Sequence, residues 1–320
     1  MSATKGFNGG ITRKQFLVGA SSLTAAAALG GGLGIVGGAR SARAATLIER
    51  AIPSSGEKIP IIGLGTARVY DVEPGDPKLP VLKSTVETFV REGGKVIDCS
   101  PTYGNAEAVV GRLVDELGAR SKVFYATKIS TDGEKEGMDQ VNASLKAWNT
   151  DKFDLLQVHN MKDFKTQIRT IRRLKGEGKV RYIGVTTSSQ RSYDRFISLM
   201  KAEKLDFVQV NYSLMQPDSG DRVLPAAKDA GLAVLINRPF ALAGTFRKVK
   251  GKKVPEWAAE FGAKSWAQFF LKFVVSHPAV TCAIPGTDKP EYMTDNLGAA
   301  MGRMPDEKTR ARMLAFWKTL

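Results

Sequence analysis

From residue 61 onward, short runs of β-branched and apolar residues alternate with longer segments whose apolar positions recur at helical spacing. This is the pattern of repeated βα units feeding a parallel sheet. The strands predicted from it span residues 61–66, 95–99, 123–128, 153–159, 180–186, 207–212, 233–239 and 280–285. Helices are predicted between them at 81–92, 107–117, 138–148, 165–176, 192–203, 222–230 and 264–276, and Pro305 and Asp306 open a last helix running toward Trp317. Gly93, Gly118, Gly178 and Gly231 stand near helix ends, where a left-handed cap is cheap. Strand and helix alternate with no linker or break in composition, so the expected architecture is a single closed (β/α)8 TIM barrel, not an open doubly wound sheet.

The first 44 residues do not share that pattern. They hold Lys5, Arg13, Lys14, Arg40 and Arg43 and no acidic residue, with a basic pair before a weakly apolar run rich in alanine and glycine. Ala42-Arg43-Ala44 supplies small residues at cleavage-site spacing, so residues 1–44 read as an export signal removed after Ala44, leaving the barrel domain at 45–320. The signal resembles the twin-arginine type, with Lys14 in the second arginine position, which predicts recognition by export machinery and a periplasmic or otherwise exported product. The stretch 16–38 is long enough to cross a bilayer, but its glycines and alanines leave too little apolar side chain for a stable membrane anchor. Gly32, Gly34 and Gly37 match G-x-G-x-x-G, yet no strand precedes them, so a Rossmann site is excluded there.

Five of the 47 basic residues fall in that signal, which leaves 42 against 32 acidic and a formal charge of +10. No zinc-finger, RRM or helix-turn-helix pattern accompanies the charge, so it reads as a solvated basic surface and no nucleic-acid partner is expected. A content of 43% hydrophobic and 25% charged residues is that of a folded globular chain, which excludes disorder for the bulk of it. Cys99 and Cys282 lie in apolar strand-like runs and read as buried free thiols, with a bridge between them as the alternative.

Four polar residues stand at or just past the ends of consecutive strands: Asp98 and Tyr103 after the second, Lys128 at the end of the third, His159 at the end of the fourth. The separations from Asp98 to Lys128 and from Lys128 to His159 are each about one βα unit, so the four should converge on the C-terminal mouth of the barrel, where this architecture builds its sites. A phenol with a reference pKa of about 10 is a weak acid at neutral pH. An adjacent ammonium is expected to lower that pKa, and a carboxylate to keep the ammonium charged and oriented. Tyr103, Lys128 and Asp98 therefore form an acid/base relay, with His159 placed to hydrogen-bond a substrate oxygen. The one other histidine, His277, sits beside Pro278 at a helix end, so no zinc site and no other metal is expected.

The segment from Asp98 to Glu107, DCSPTYGNAE, resembles the D-x-S-x-x-Y-G-x-x-E signature of aldo-keto reductases. Thr127-Lys128, Val158-His159-Asn160 and Ile284-Pro285-Gly286-Thr287 with Asp295-Asn296 are similar to further motifs of that family, and the resemblance covers roughly residues 59–300. It implies an oxidoreductase that moves a hydride between a nicotinamide cofactor and an aldehyde, ketone or alcohol. It also implies an extended cofactor, with Thr187 and Gln209 near the nicotinamide amide and Gly65 and Thr66 beneath it. Arg238, Pro239, Phe240, Leu242 and Gly244, in and beside the loop 240–246, would cover the pyrophosphate, and Gly286, Thr287 and Asn296 the adenosine end. The chain departs from the family where Asn237 replaces a stacking tyrosine, Gly286 a lysine and Tyr292 an arginine. Lys289 then offers the charge for a 2′-phosphate, and NADP(H) is expected over NAD. The rivals are a nucleotide-binding barrel that senses redox state or binds a partner with little turnover, and a lyase or epimerase using Lys128 as a Schiff base. Tyr70, Met161, Phe240 and Trp257 are expected around the substrate.

Overall fold

The computed structural model describes residues 46–320. The segment expected to be an export signal, with the glycine motif at positions 32–37, lies outside the described residues.

The described chain opens with an antiparallel hairpin, β1 (Glu49–Ala51) and β2 (Lys58–Pro60), in which Arg50 pairs with Ile59. Eight parallel strands follow: β3 (Leu64–Gly65), β4 (Val96–Asp98), β5 (Phe124–Ile129), β6 (Phe153–Val158), β7 (Val180–Thr187), β8 (Phe207–Asn211), β9 (Ala233–Asn237) and β10 (Cys282–Ala283). Each pairs with its sequence neighbour, giving the order β10-β9-β8-β7-β6-β5-β4-β3. The two ends of that order also meet: Gly63 N donates to Ala283 O at 2.8 Å, Ala283 N to Ile61 O at 2.9 Å and Gly65 N to Pro285 O at 3.0 Å. The sheet therefore closes as the expected barrel. Gly65 makes that seam possible, because a Cβ there would lie 2.6 Å from Ile284 O.

The connecting helices are α1 (Leu79–Arg91), α2 (Ala106–Glu116), α3 (Glu134–Trp148), α4 (Phe164–Gly176), α5 (Tyr193–Ala202), α6 (Ser219–Asp229), α7 (Gly244–Lys248), α8 (Trp266–Val275), α9 (Pro290–Gly298) and α10 (Glu307–Thr319). Local chemistry sets several ends. Ser265 caps α8 by accepting from Gln268 N at 3.0 Å, Asp306 caps α10 by accepting from Thr309 N at 2.8 Å, and Asn149 closes α3 in the left-handed conformation. The hairpin, α7 and α9 were not predicted: the hairpin strands and α7 are too short to display a period, and α9 carries few buried positions.

Successive strand side chains face opposite ways, so residues two apart share the barrel interior. At the bottom this interior is apolar, with Ile52 and Ile59 of the hairpin packed against Val96, Phe124, Leu155, Tyr182 and Phe207. Toward the strand C-termini the same alternation turns polar: Phe124, Ala126, Lys128; Leu155, Gln157, His159; Phe207, Gln209, Asn211. A packed plug below and polar groups above thus follow from one period-2 register, and the site can form at one end only.

Candidate active site

Strand β4 ends at Asp98, β5 carries Lys128 next to its last residue, and His159 follows β6 directly. Lys128 Nζ donates to Asp98 Oδ1 and to the Cys99 carbonyl, both at 2.6 Å. Asp98 Oδ2 accepts from Gln209 Nε2 at 3.0 Å and from Gln157 Nε2 at 3.3 Å. Burial works against the Lys128 charge, but the Asp98 carboxylate opposes it and the ammonium is held above its ordinary value. Lys128 is itself sealed under the cavity floor, with Nζ 5.4 Å from the centroid of the Tyr103 ring.

Tyr103 lies in the turn after β4 and meets the His159 ring edge-on, 6.0 Å between centroids. The sequence reading expected its pKa to fall, and the structure corrects that. Lys128 pulls it down, but burial, Asp98 and Cys99 together push harder, and the phenol ends above its ordinary value even with Arg238 also pulling it down. Tyr103 is therefore a protonated acid at neutral pH. His159 is pushed down to about 3 by burial and then by Lys128, so its imidazole is neutral. Ser100 Oγ lies 3.3 Å from Nδ1, and when that hydroxyl donates, Nε2 keeps its hydrogen as a donor.

Around these groups opens a cavity of about 990 Å3 that reaches from His159 to Asn296. Asp98, Tyr103 and His159 line it, as do Gly65 and Thr66 beneath and Gln209 behind. Arg238, Pro239, Phe240 and Leu242 form one wall, and Gly286, Thr287 and Asn296 the far end. Three residues expected at the cofactor stand elsewhere. Thr187 falls in the outward phase of β7, and its inward neighbour Thr186 lines the cavity instead. Gly244 is buried behind the rim, where a Cβ would approach Met215 Sδ to 2.7 Å. Lys289 lies outside the wall with its ammonium 5.2 Å from the Tyr292 ring, and Tyr292 lines the cavity.

Of the residues expected around the substrate only Phe240 lines the cavity. Tyr70 and Met161 are buried in the core, and Trp257 packs edge-on against Phe269 and Phe316. Sequence reading missed Arg68, Asp71, Thr102, Ser188 and Trp266, which reach the cavity from loops or a helix start, and Gln157, an inward residue two before His159. Period-2 counting back from His159 could have found Gln157. No comparable signal marks the loop residues.

The cavity also fits a dinucleotide. Phe240, Phe246, Trp266 and Tyr292 line it together with Thr287 and Asn296, and Gly286 puts no side chain where it lies against Gly65 O. Asn237 Oδ1 and Thr287 Oγ1, both on lining residues, are buried with no partner in the protein.

A closed parallel barrel with an acid phenol over a buried ammonium–carboxylate pair defines the class, and residues 61–311 match the model of the Aldo/keto reductase family. The chain belongs to that family. It is 29% identical over 200 residues to aldo-keto reductase YhdN of Bacillus subtilis, a match spanning 58% of this chain and 60% of that protein. It is 28% identical over 247 residues to methylglyoxal reductase YeaE of Escherichia coli, covering 74% and 84% of the two chains. The fold is similar to that of an aldo/keto reductase from Klebsiella pneumoniae solved with NADP and acetate, with a TM-score of 0.70, 23% identity, and 82% and 93% of the chains covered.

Proposed function

We propose that this protein is an NADP(H)-dependent oxidoreductase that reduces an aldehyde or ketone to an alcohol, or runs the reverse. The observation that carries this reading is the Lys128–Asp98 pair, 2.6 Å apart and sealed beneath an acid Tyr103 that shares the cavity with a neutral His159. In reduction, His159 Nε2 and the Tyr103 hydroxyl hold the carbonyl oxygen. When bound, the reduced nicotinamide supplies the hydride that the carbonyl carbon takes. Tyr103 gives its proton to the oxygen as negative charge develops there. Lys128 stabilises the phenolate left behind, Asp98 keeps that ammonium charged and aimed, and a solvent proton restores Tyr103. Gly65, Thr66, Gln209, Gly286, Thr287 and Asn296 would hold the cofactor, and Arg238 would meet its phosphates.

Replacing Tyr103 with Phe tests the assignment. Y103F is expected to bind NADPH about as tightly as the parent while turnover of a simple aldehyde falls by roughly 10²- to 10⁴-fold. Unchanged turnover rejects the role. Tighter binding of NADH than of NADPH, measured by fluorescence titration, rejects the choice of cofactor.

Residues 1–44 are proposed to direct export, with folding and cofactor loading before transfer. Mass spectrometry of the periplasmic fraction should then find a chain beginning at Ala45, and R13Q/K14Q should retain the protein in the cytoplasm.

A further inference from the structure

The signature running from Asp98 to Glu107 ends in a buried carboxylate for which the mechanism above has no use. Glu107 is 6% exposed and makes no ion pair among the described residues. It instead accepts three neutral donors: Thr127 Oγ1, Ser144 Oγ at 2.7 Å and Trp148 Nε1 at 3.1 Å. All three are themselves buried. An ionised carboxylate taken from water without a cation is expensive, and for stability alone an apolar side chain of similar volume does as well or better. The placement of its partners gives the reason to keep it.

Glu107 stands in the first turn of α2, four residues after Tyr103, and the two are joined by a short rigid path. Tyr103 N donates to Ser100 O at 3.0 Å, and Ala106 N donates to Tyr103 O at 3.1 Å. Thr127 is on β5 immediately before Lys128, so the bond to its hydroxyl fixes the outward face of the strand whose inward face presents the ammonium. Ser144 and Trp148 belong to α3, which packs close to α2: a Cβ on Gly111 would stand 2.3 Å from Ala147 O. One carboxylate thus joins the turn that carries the phenol to the strand that carries its ammonium.

We infer that Glu107 is a positioning residue, which sets the separation of Tyr103 and Lys128 through its hydrogen bond to Thr127. The inference rests on the reading of Tyr103 as the proton-transfer group. Its action is geometric and needs hydrogen-bond acceptors more than charge, because Thr127 and Ser144 can rotate their hydroxyls to suit an amide.

The test compares two deletions at the same carboxylate. T127V removes the bond to the catalytic strand, and S144A removes one to α3. T127V is expected to lower kcat by about tenfold, the scale of a sub-ångström misplacement at a reacting group. It should also shift the pH profile of kcat, with KM for the carbonyl and binding of NADPH nearly unchanged. S144A should leave kcat and the profile within about twofold of the parent, since its effect passes to packing. E107Q should keep most activity and E107A should lose it together with some stability. Equal effects of T127V and S144A on kcat and its pH profile, or E107Q failing as badly as E107A, overturn the inference. The 13Cζ resonance of Tyr103, assigned with Y103F, reads the same geometry without turnover: it should move in T127V and stay in S144A. An inactive parent protein would therefore sink the reading of Tyr103 while leaving this comparison intact.

Discussion

Lys128 Nζ and Asp98 Oδ1 stand 2.6 Å apart with 0% and 4% of their side chains exposed, and each is the other's only ionic partner among the described residues. Removing one charge leaves the other stranded in a low-dielectric floor. D98N is accordingly expected to lower unfolding stability by about 3–5 kcal/mol, and the double change D98L/K128M to recover much of that loss without recovering turnover. Denaturant titration beside NADPH oxidation separates the two effects. If D98N costs no more than an exposed ion pair, the buried pair is not the unit described.

Acid should destabilise the fold through its histidines. Burial first, and Lys128 next, push His159 down to about 3, while burial, then Arg310, push His277 down to about 4. Each imidazole therefore takes a proton in the unfolded chain near pH 6.5 and refuses it in the folded one. The stability they permit is complete above pH 6.5 and falls as pH drops toward 4. The slope per histidine approaches about 1.4 kcal/mol per pH unit. Melting temperatures across that window should show a shallower slope for H159Q than for the parent, and equal slopes would mean that His159 is solvated.

Gly65 is expected to tolerate no side chain. A Cβ there meets Ile284 O at 2.6 Å and Gly286 N at 3.6 Å, so G65A must push β10 away and distort the cavity floor. A loss of about 1–3 kcal/mol is the range for such overpacking, and NADPH affinity should fall with it. Gly176, at the end of α4, has open space around its Cβ position, so G176A should be neutral or slightly stabilising. Similar melting temperatures for G65A and the parent would show that the seam is looser than its hydrogen bonds indicate.

The eight barrel strands were legible because each repeats a short apolar run at a steady interval, and the observed elements, such as β6 at Phe153–Val158, fall on the expected runs with ends shifted by a few residues. The four polar groups at the mouth were legible for the same reason: one βα unit of spacing brings Asp98, Lys128 and His159 to the same height. Thr187 shows where this reasoning stops. Two threonines end β7, the period says that one faces inward, and the phase is set by the pairing of Thr186 with Gln209 on the neighbouring strand. Arg68, Ser188 and Trp266 reach the cavity from loops or a helix start, whose course no periodicity records.

By itself the sequence determined the alternation of the eight barrel strands with their main helices, the closed barrel it implies and the kinds of groups at its mouth, since these follow from local periods and fixed spacing. The tertiary structure decided quantities that are sums over neighbours distant in the chain. It turned the Tyr103 shift upward, because burial and Asp98 together exceed the pull of Lys128. It gathered Gln157 and Gln209 on Asp98 across separations of 59 and 111 residues. Electrostatic energy depends on distance and solvent exclusion in space, and neither is written in the order of residues along one strand.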